Sequence, residues 1–273
     1  MAEMGEAPVK LSLKGVCKSF RLRGTGADGQ EQFINVLRNV NFDVRQGEIV
    51  SIIGESGCGK TTLLRIVQGL IRLDSGAIEV DGVPVKKPGR DRGFVFQQAS
   101  LLPWRTARQN IEFGLELQNL TRAQRAQRAN ELLALVGLSH AADQLPHQLS
   151  GGMQQRIGLA RAMAINPEIL LMDEPFSALD AQTREVLQAE LLRIQAETHK
   201  TTLFVTHDLD EAIYLSNRVV VLAAKPGRVK KIIDIPFRHP RPELPELRGD
   251  PLFQDIRAEM WELIRTPAPA VAA

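Results

Sequence analysis

GEIVSIIGESGCGKTTLLRIVQGL, residues 47–70, decides the fold. A short apolar run is followed by a Gly-rich turn and then by apolar residues at helical spacing. The turn GESGCGKT, residues 54–61, matches G-x-x-x-x-G-K-[ST] in the strand-then-helix setting that such a loop needs. Glycines let backbone N–H groups curl around phosphates, and the helix N-terminus adds a favourable field for the anion. The candidate contacts are Gly54, Glu55, Ser56, Gly57, Cys58, Gly59, Lys60, Thr61 and Thr62. Lys60 is expected to reach the β- and γ-phosphates and Thr61 to hold Mg²⁺. An ordinary Gly-rich turn does not account for strand, loop, Lys-Thr and helix together. A helix N-terminus can lower the pKa of a thiol such as Cys58. Its alkylation is expected to block nucleotide binding, although a small residue that merely fits the loop is the plainer reading.

Three further strand ends carry polar groups. ILLMDEP, residues 169–175, is an apolar strand tipped with two acids, a pair for which a buried strand has no structural use. Asp173 fits a Mg²⁺ partner. Glu174 is then placed to accept a proton from an attacking water. Solvated acids in a turn are the bland alternative, and the weaker one beside a phosphate loop. In GFVFQQ, the Gln97 amide can meet Mg²⁺ or water, with Gln98 as the rival. In FVTHD, a neutral His207 imidazole can bond a γ-phosphate or the attacking water. LSGGMQQRIGLARA, residues 149–162, has no carboxylate and no nucleophile. Ser150 is a good N-cap, and Gly151 and Gly152 leave bare backbone N–H groups at a helix tip, an anion site without a charged side chain.

The 273 residues suit one large domain, or a domain with a subdomain and a tail. With 44% hydrophobic and 24% charged residues, the chain can bury a core. A net charge of +2 with scattered basic residues argues against nucleic acid as a partner. Two cysteines, Cys17 and Cys58, make no disulfide framework and point to a reducing compartment. MAEMGEAPVK lacks the apolar core of a signal peptide, and no apolar run approaches the roughly 18 residues that span a bilayer. Strands alternating with helices argue for an α/β fold with a parallel sheet. The expected elements are strands at LSLKGVCKSF, VLRNVNFDV, SGAIEVDG, EILLMDEP, TTLFVTHD and RVVVL, and a helix over about 181–198. Residues 1–9 and TPAPAVAA read as disordered, and 23–32 as a polar Gly-rich loop.

The set GESGCGKTT, VFQQ, LSGGMQQR, LLMDEP, SALD and VTHD resembles the ATP-binding cassette of ABC transporters. The resemblance covers residues 10–225 in the family's order. It implies a P-loop NTPase core with a parallel-rich sheet, an antiparallel β subdomain and a helical subdomain inserted at about 104–160. Residues 226–273 are then a C-terminal extension. It implies ATP hydrolysis with ATP and Mg²⁺, Phe20 stacking on adenine (Phe33 is nearby), and Asp180 communicating across a dimer. It also answers what Ser150, Gly151 and Gly152 are for: they face the γ-phosphate held by a second subunit, so each site is split between two chains. Met153 stands where the family usually has Gln.

LLPWRT, residues 101–106, would line the groove that receives a permease helix, with Trp104 either there or in the core. LLPW with RTARQNIEFGLEL, RVVVLAAKPGRV and PLFQDIRAEMWELI is similar to importers of the nitrate, sulfonate and taurine type. That implies a homodimer, integral membrane permease subunits, indirectly a substrate-binding protein, and a peripheral place on the cytoplasmic face of the inner membrane. An exporter ATPase would keep every motif. A non-transport ABC ATPase would usually show two cassettes or a long coiled-coil insertion. In the last segment Phe253, Ile256, Met260 and Leu263 share one helical face, expected to pack on its own domain.

Overall fold

The runs Ile49–Gly54 and Ile169–Asp173 have no polar face, which suits strands covered on both sides. A computed structural model describes residues 7–25 and 31–266 and bears this out. In chain order, strands β1 (Val9–Thr25), β2 (Glu31–Arg45) and β3 (Ile49–Gly54) lead into helix α1 (Lys60–Gln68). Then come β4 (Ser75–Val80), β5 (Val83–Pro84) and β6 (Arg92–Val95). Helices α2 (Ala107–Glu112), α3 (Arg122–Leu135) and α4 (Gly151–Ala164) follow. After them lie β7 (Ile169–Asp173), α5 (Ala181–Thr198), β8 (Thr201–Val205) and α6 (Leu209–Leu215). The chain ends on β9 (Arg218–Ala223), β10 (Arg228–Asp234), α7 (Leu244–Leu247) and α8 (Pro251–Arg265).

Two sheets form. An antiparallel one has the order β2-β1-β4-β5; the other has the order β10-β9-β3-β8-β7-β6. In the second, neighbouring strands run parallel except for β10 on its edge. Alternate residues of its central strands enter two different cores, as a period of two requires. Val50, Ile52, Ile169 and Leu171 pack with α1 and the antiparallel sheet. Ile53, Leu170 and Met172 pack with the helices of the insertion and with α5, α6 and α8. The architecture is therefore the α/β core, antiparallel β sheet and inserted helices read from the sequence.

Helix starts are written locally. Thr106 and Thr121 each begin a T-x-x-Q capping box, closed by Gln109 and Gln124. Ser150, Asp180, Asp208 and Asp250 cap α4, α5, α6 and α8 through side-chain oxygens. The expected helix over 181–198 is found with those ends.

Some boundaries differ. β1 begins at Val9, inside the stretch expected to be disordered, and residues 1–6 lie outside the described residues. The polar loop expected over 23–32 gives its two flanks to β1 and β2, and residues 26–30 lie outside the described residues. Most of the expected C-terminal tail, 267–273, also lies outside them. β10 was not anticipated, because RVKKIID sits on a sheet edge and does not alternate cleanly. Trp104 is 72% exposed, which excludes the core alternative. Among the described residues, no helix is long and apolar enough to cross a membrane.

α8 packs as expected, with Phe253, Ile256 and Met260 buried and Leu263 partly so. Cys58 follows the plainer reading, a small residue that fits the loop. Its side chain is fully buried in the core that includes Leu37, Leu63 and Leu222. Burial pushes its thiol up, and Lys60 and backbone hydrogen bonds only oppose this.

Two measurements test these points. Phe253→Ala should cost about 3–5 kcal/mol of unfolding free energy in urea, and Trp261→Ala, on the exposed side of α8, less than about 0.5 kcal/mol. Iodoacetamide at neutral pH should label half-buried Cys17 in the folded chain and spare Cys58 until denaturant is added, as read by peptide mass spectrometry. Equal labelling of both thiols would contradict the buried position of Cys58.

Candidate nucleotide site

The loop between β3 and α1 is shaped by two glycines. Gly54 has φ +154°, and a Cβ there would lie 2.6 Å from the Leu222 carbonyl oxygen and 2.9 Å from Cys58 Sγ. Gly59, with φ +98°, caps α1, and its Cβ would lie 2.7 Å from Leu37 Cδ2. Gly54 cannot take a side chain without moving the β9 backbone at Leu222, and at Gly59 a side chain would need Leu37 to give way and would be strained at this positive φ. The Cys58 N–H donates to the Glu55 carbonyl at 3.2 Å and closes the turn. Lys60, 7% exposed, donates Nζ–H to the carbonyls of Gly54 (2.8 Å) and Glu55 (3.2 Å).

A cleft opens over this loop. It is lined by Phe20, Val36, Ser56, Gly57, Gly59, Lys60, Thr61, Thr62, Glu174 and His207. The side chains of Glu55 and Cys58 do not line it. Phe20 lies on β1 with Lys18 Nζ 5.2 Å from its ring centre; Phe33 is not among the lining residues. Val36 was not anticipated, since a valine on β2 carries no sequence signal of a site.

The two acids at the tip of β7 go different ways. Thr61 Oγ1 donates to Asp173 Oδ1 at 2.9 Å. Burial pushes the Asp173 carboxyl up; the Thr61 bond opposes this, Glu174 adds to it, and Arg65 and Lys60 oppose it. A bound cation would hold it ionised. Glu174 has φ +45°, an uncommon conformation for a side-chain-bearing residue. Its N–H is held by the Val205 carbonyl at 2.9 Å, and its Oε2 lies 3.1 Å from His207 Nδ1. An ionised Glu174 only accepts, so that contact needs the proton on His207 Nδ1 and leaves Nε2 as an acceptor.

Gln97 donates Nε2–H to Ser177 Oγ at 3.2 Å, and Ser177 Oγ–H donates to the Glu174 carbonyl at 2.9 Å. Gln98 offers its backbone carbonyl to Ser100 Oγ instead. The bonds thus join Gln97, and not Gln98, to the acidic strand. Ser177 was overlooked inside SALD. Two residues of α4 fasten the Gln97 loop: Gln155 Nε2 donates to the Phe96 carbonyl (3.1 Å), and Arg161 donates to those of Ala99 (2.6 Å) and Ser100 (2.8 Å).

Ser150, Gly151, Gly152 and Asp180 do not line the cleft of their own chain. Ser150 Oγ accepts from the Met153 N–H at 3.3 Å. Asp180 Oδ1 accepts from the Thr183 N–H at 3.0 Å, and that bond holds its carboxyl below the usual range.

A family model described as ABC transporter matches residues 37–177. An uncharacterized ABC transporter ATP-binding protein of Methanocaldococcus jannaschii is 50% identical over 233 residues, 85% of each chain. A nitrate import ATP-binding protein of Synechococcus elongatus is 45% identical over 84% of each chain. A taurine import ATP-binding protein of Rhizobium johnstonii is 44% identical over 85% of this chain and 90% of its own. Among solved structures, a dimeric ATP-binding cassette in a post-hydrolysis state with ADP and Pi is similar with a TM-score of 0.71. It is 36% identical and covers 82% of this chain and 98% of its own. With the phosphate loop, the paired acids and the capped Ser-Gly-Gly helix, these likenesses place the chain in the ABC transporter family, as an ATP-binding and ATP-hydrolysing subunit.

Proposed function

We propose that this chain powers import of a small anion of the nitrate, sulfonate or taurine type, as one of two ATPase subunits beneath membrane permeases. The observation that carries the hydrolytic part is the Glu174–His207 contact of 3.1 Å on the cleft that also holds Lys60 and Thr61. The import part rests on the similarity to nitrate and taurine import ATP-binding proteins. A substrate-binding protein is the expected further partner, and the inner face of the cell membrane the expected place.

The roles follow from chemistry. Phe20 stacks on the adenine. Backbone N–H groups of residues 54–62 and Lys60 bind the β- and γ-phosphates. Mg²⁺ suits one carboxylate and one hydroxyl, with phosphates and water completing its shell. The Thr61 and Asp173 oxygens, 2.9 Å apart, would meet that demand, and Gln97 would join them through its amide oxygen. Held there, Mg²⁺ would neutralise phosphate charge. Glu174 takes the proton of the attacking water, and the free Nε2 of His207 orients that water. The N–H groups of Ser150, Gly151 and Gly152 act on the nucleotide of the second subunit, with Asp180 beside them. ATP prefers the closed dimer, so binding shifts the population toward closure and hydrolysis releases it.

Glu174→Gln, isolated from native membranes with ATP, should run as a closed dimer and bring a permease and a soluble binding protein with it. Normal ATP turnover by this variant would remove Glu174 as the base, and a membrane partner without any receptor would favour export. Ser150→Arg should leave ATP affinity of the monomer unchanged and lower dimer turnover by about 100-fold or more. Unchanged turnover would end the split-site assignment.

A further inference from the structure

Thr206 and Asp208 flank His207, and each is held by side-chain bonds. Thr206, 2% exposed, accepts the Asp208 N–H on Oγ1 at 3.0 Å, and its hydroxyl favours the charged form of the nearby Glu211 carboxyl. The Glu211 N–H donates to Asp208 Oδ1 at 3.1 Å. Asp208-x-x-Glu211 is the sequence of a capping box, in which Glu211 would reach back to the Asp208 N–H. That N–H is given to Thr206 instead, and Glu211 turns inward to 4% exposure.

What it meets there comes from α5. Gln188, 2% exposed, donates Nε2–H to Glu211 Oε1 at 2.9 Å. One turn earlier, Arg184 lies 3.5 Å from Asp208 Oδ2 and donates to the Leu179 carbonyl at 3.1 Å. Leu179 precedes Asp180, the cap of α5. A buried carboxyl is costly, and nothing in the helix requires one here.

We propose that Glu211 is a positioning residue that fixes His207 against Glu174 through Thr206 and Asp208, and ties that geometry to the segment 179–184 that carries Asp180. The inference rests on Glu174 and His207 being the hydrolytic pair. It agrees with two further facts. Burial pushes the Glu211 carboxyl up to about 7, with Asp208 adding to this and Thr206, Gln188 and Arg184 opposing it. Gln188 Oε1 is buried without a partner, and a protonated acid facing an amide supplies the missing donor.

The test is steady-state ATP hydrolysis by the full chain in a double-mutant cycle of Glu211→Ala and His207→Ala. Glu211→Ala should lower kcat about tenfold with KM for ATP within about twofold. In the His207→Ala background it should add no further loss. Glu211→Gln, which keeps an acceptor and a donor, should keep kcat within about twofold and remove a pH dependence near about pH 7. If Glu211→Ala folds poorly, Thr206→Val removes the relaying hydroxyl at nearly constant volume and should follow the same cycle. Losses that multiply in the double variant, or a raised KM at constant kcat, would overturn the positioning role alone. A fully active His207→Ala would overturn the hydrolytic pair and this inference with it.

Discussion

The hydrogen bond from Thr61 Oγ1 to Asp173 Oδ1 joins residues 112 positions apart. Between them lie the β4–β6 strands and all the inserted helices. The bond fixes the first turn of α1 to the tip of β7, and so sets the phosphate loop against the acidic strand end. It stands where burial disfavours an ionised carboxylate and where the nearby cations Lys60 and Arg65 restore some of the balance. The loop reaches this position because Gly54 and Gly59 let the backbone pass within side-chain distance of Leu222 and Leu37. The chemistry of the cleft thus depends on two positions that carry no side chain.

The second constraint is the sheet that serves two cores. A strand such as Ile169–Asp173 buries alternate residues on opposite sides, so its tip is rigid and can hold two acids with different surroundings. Asp173 is 8% exposed, while Glu174, one residue beyond the strand, takes a positive φ that turns it to the cleft. The Gln97 loop has no such sheet support past Val95. It is steadied from the inserted helices, by Gln155 and Arg161.

The sheet was legible because its central strands are short, apolar and bounded by turn residues. The helix over 181–198 was legible to its ends, which the structure closes with Asp180 as N-cap and His199 in the left-handed conformation. Local spacing could not supply the rest. β10 pairs only along one edge, and its lysines hide its period. Phe20 and Phe33 share a hairpin at neighbouring register positions, and only the folded strands show which one lines the cleft. For Cys58 the motif left two readings, a thiol lowered by the helix N-terminus and a small residue that fits, and burial, invisible in a motif, supports the second. Glu211 gave no signal of its own, because Asp208-x-x-Glu211 spells an ordinary capping box; its inward turn depends on Gln188, which is on another helix.

The placement of Ser150, Gly151 and Gly152 away from their own cleft has a physical consequence. The first N–H groups of a helix have no partner within it, and Ser150 Oγ satisfies only that of Met153. The N–H groups at Gly151 and Gly152 are not taken up by that cap, and under the proposed split site they are the ones that meet the second subunit's nucleotide. That tip cannot move alone. A Cβ on Gly152 would lie 2.6 Å from Thr183 Cγ2, so α4 and the first turn of α5 are in tight contact there. The Thr183 N–H is capped by Asp180, and Arg184, the next residue, reaches Asp208 beside His207. Under that proposal, a displacement that brings the Ser-Gly-Gly tip onto another chain's phosphates would carry Asp180 and bear on the His207 loop, because packed contacts of this kind transmit shifts instead of absorbing them.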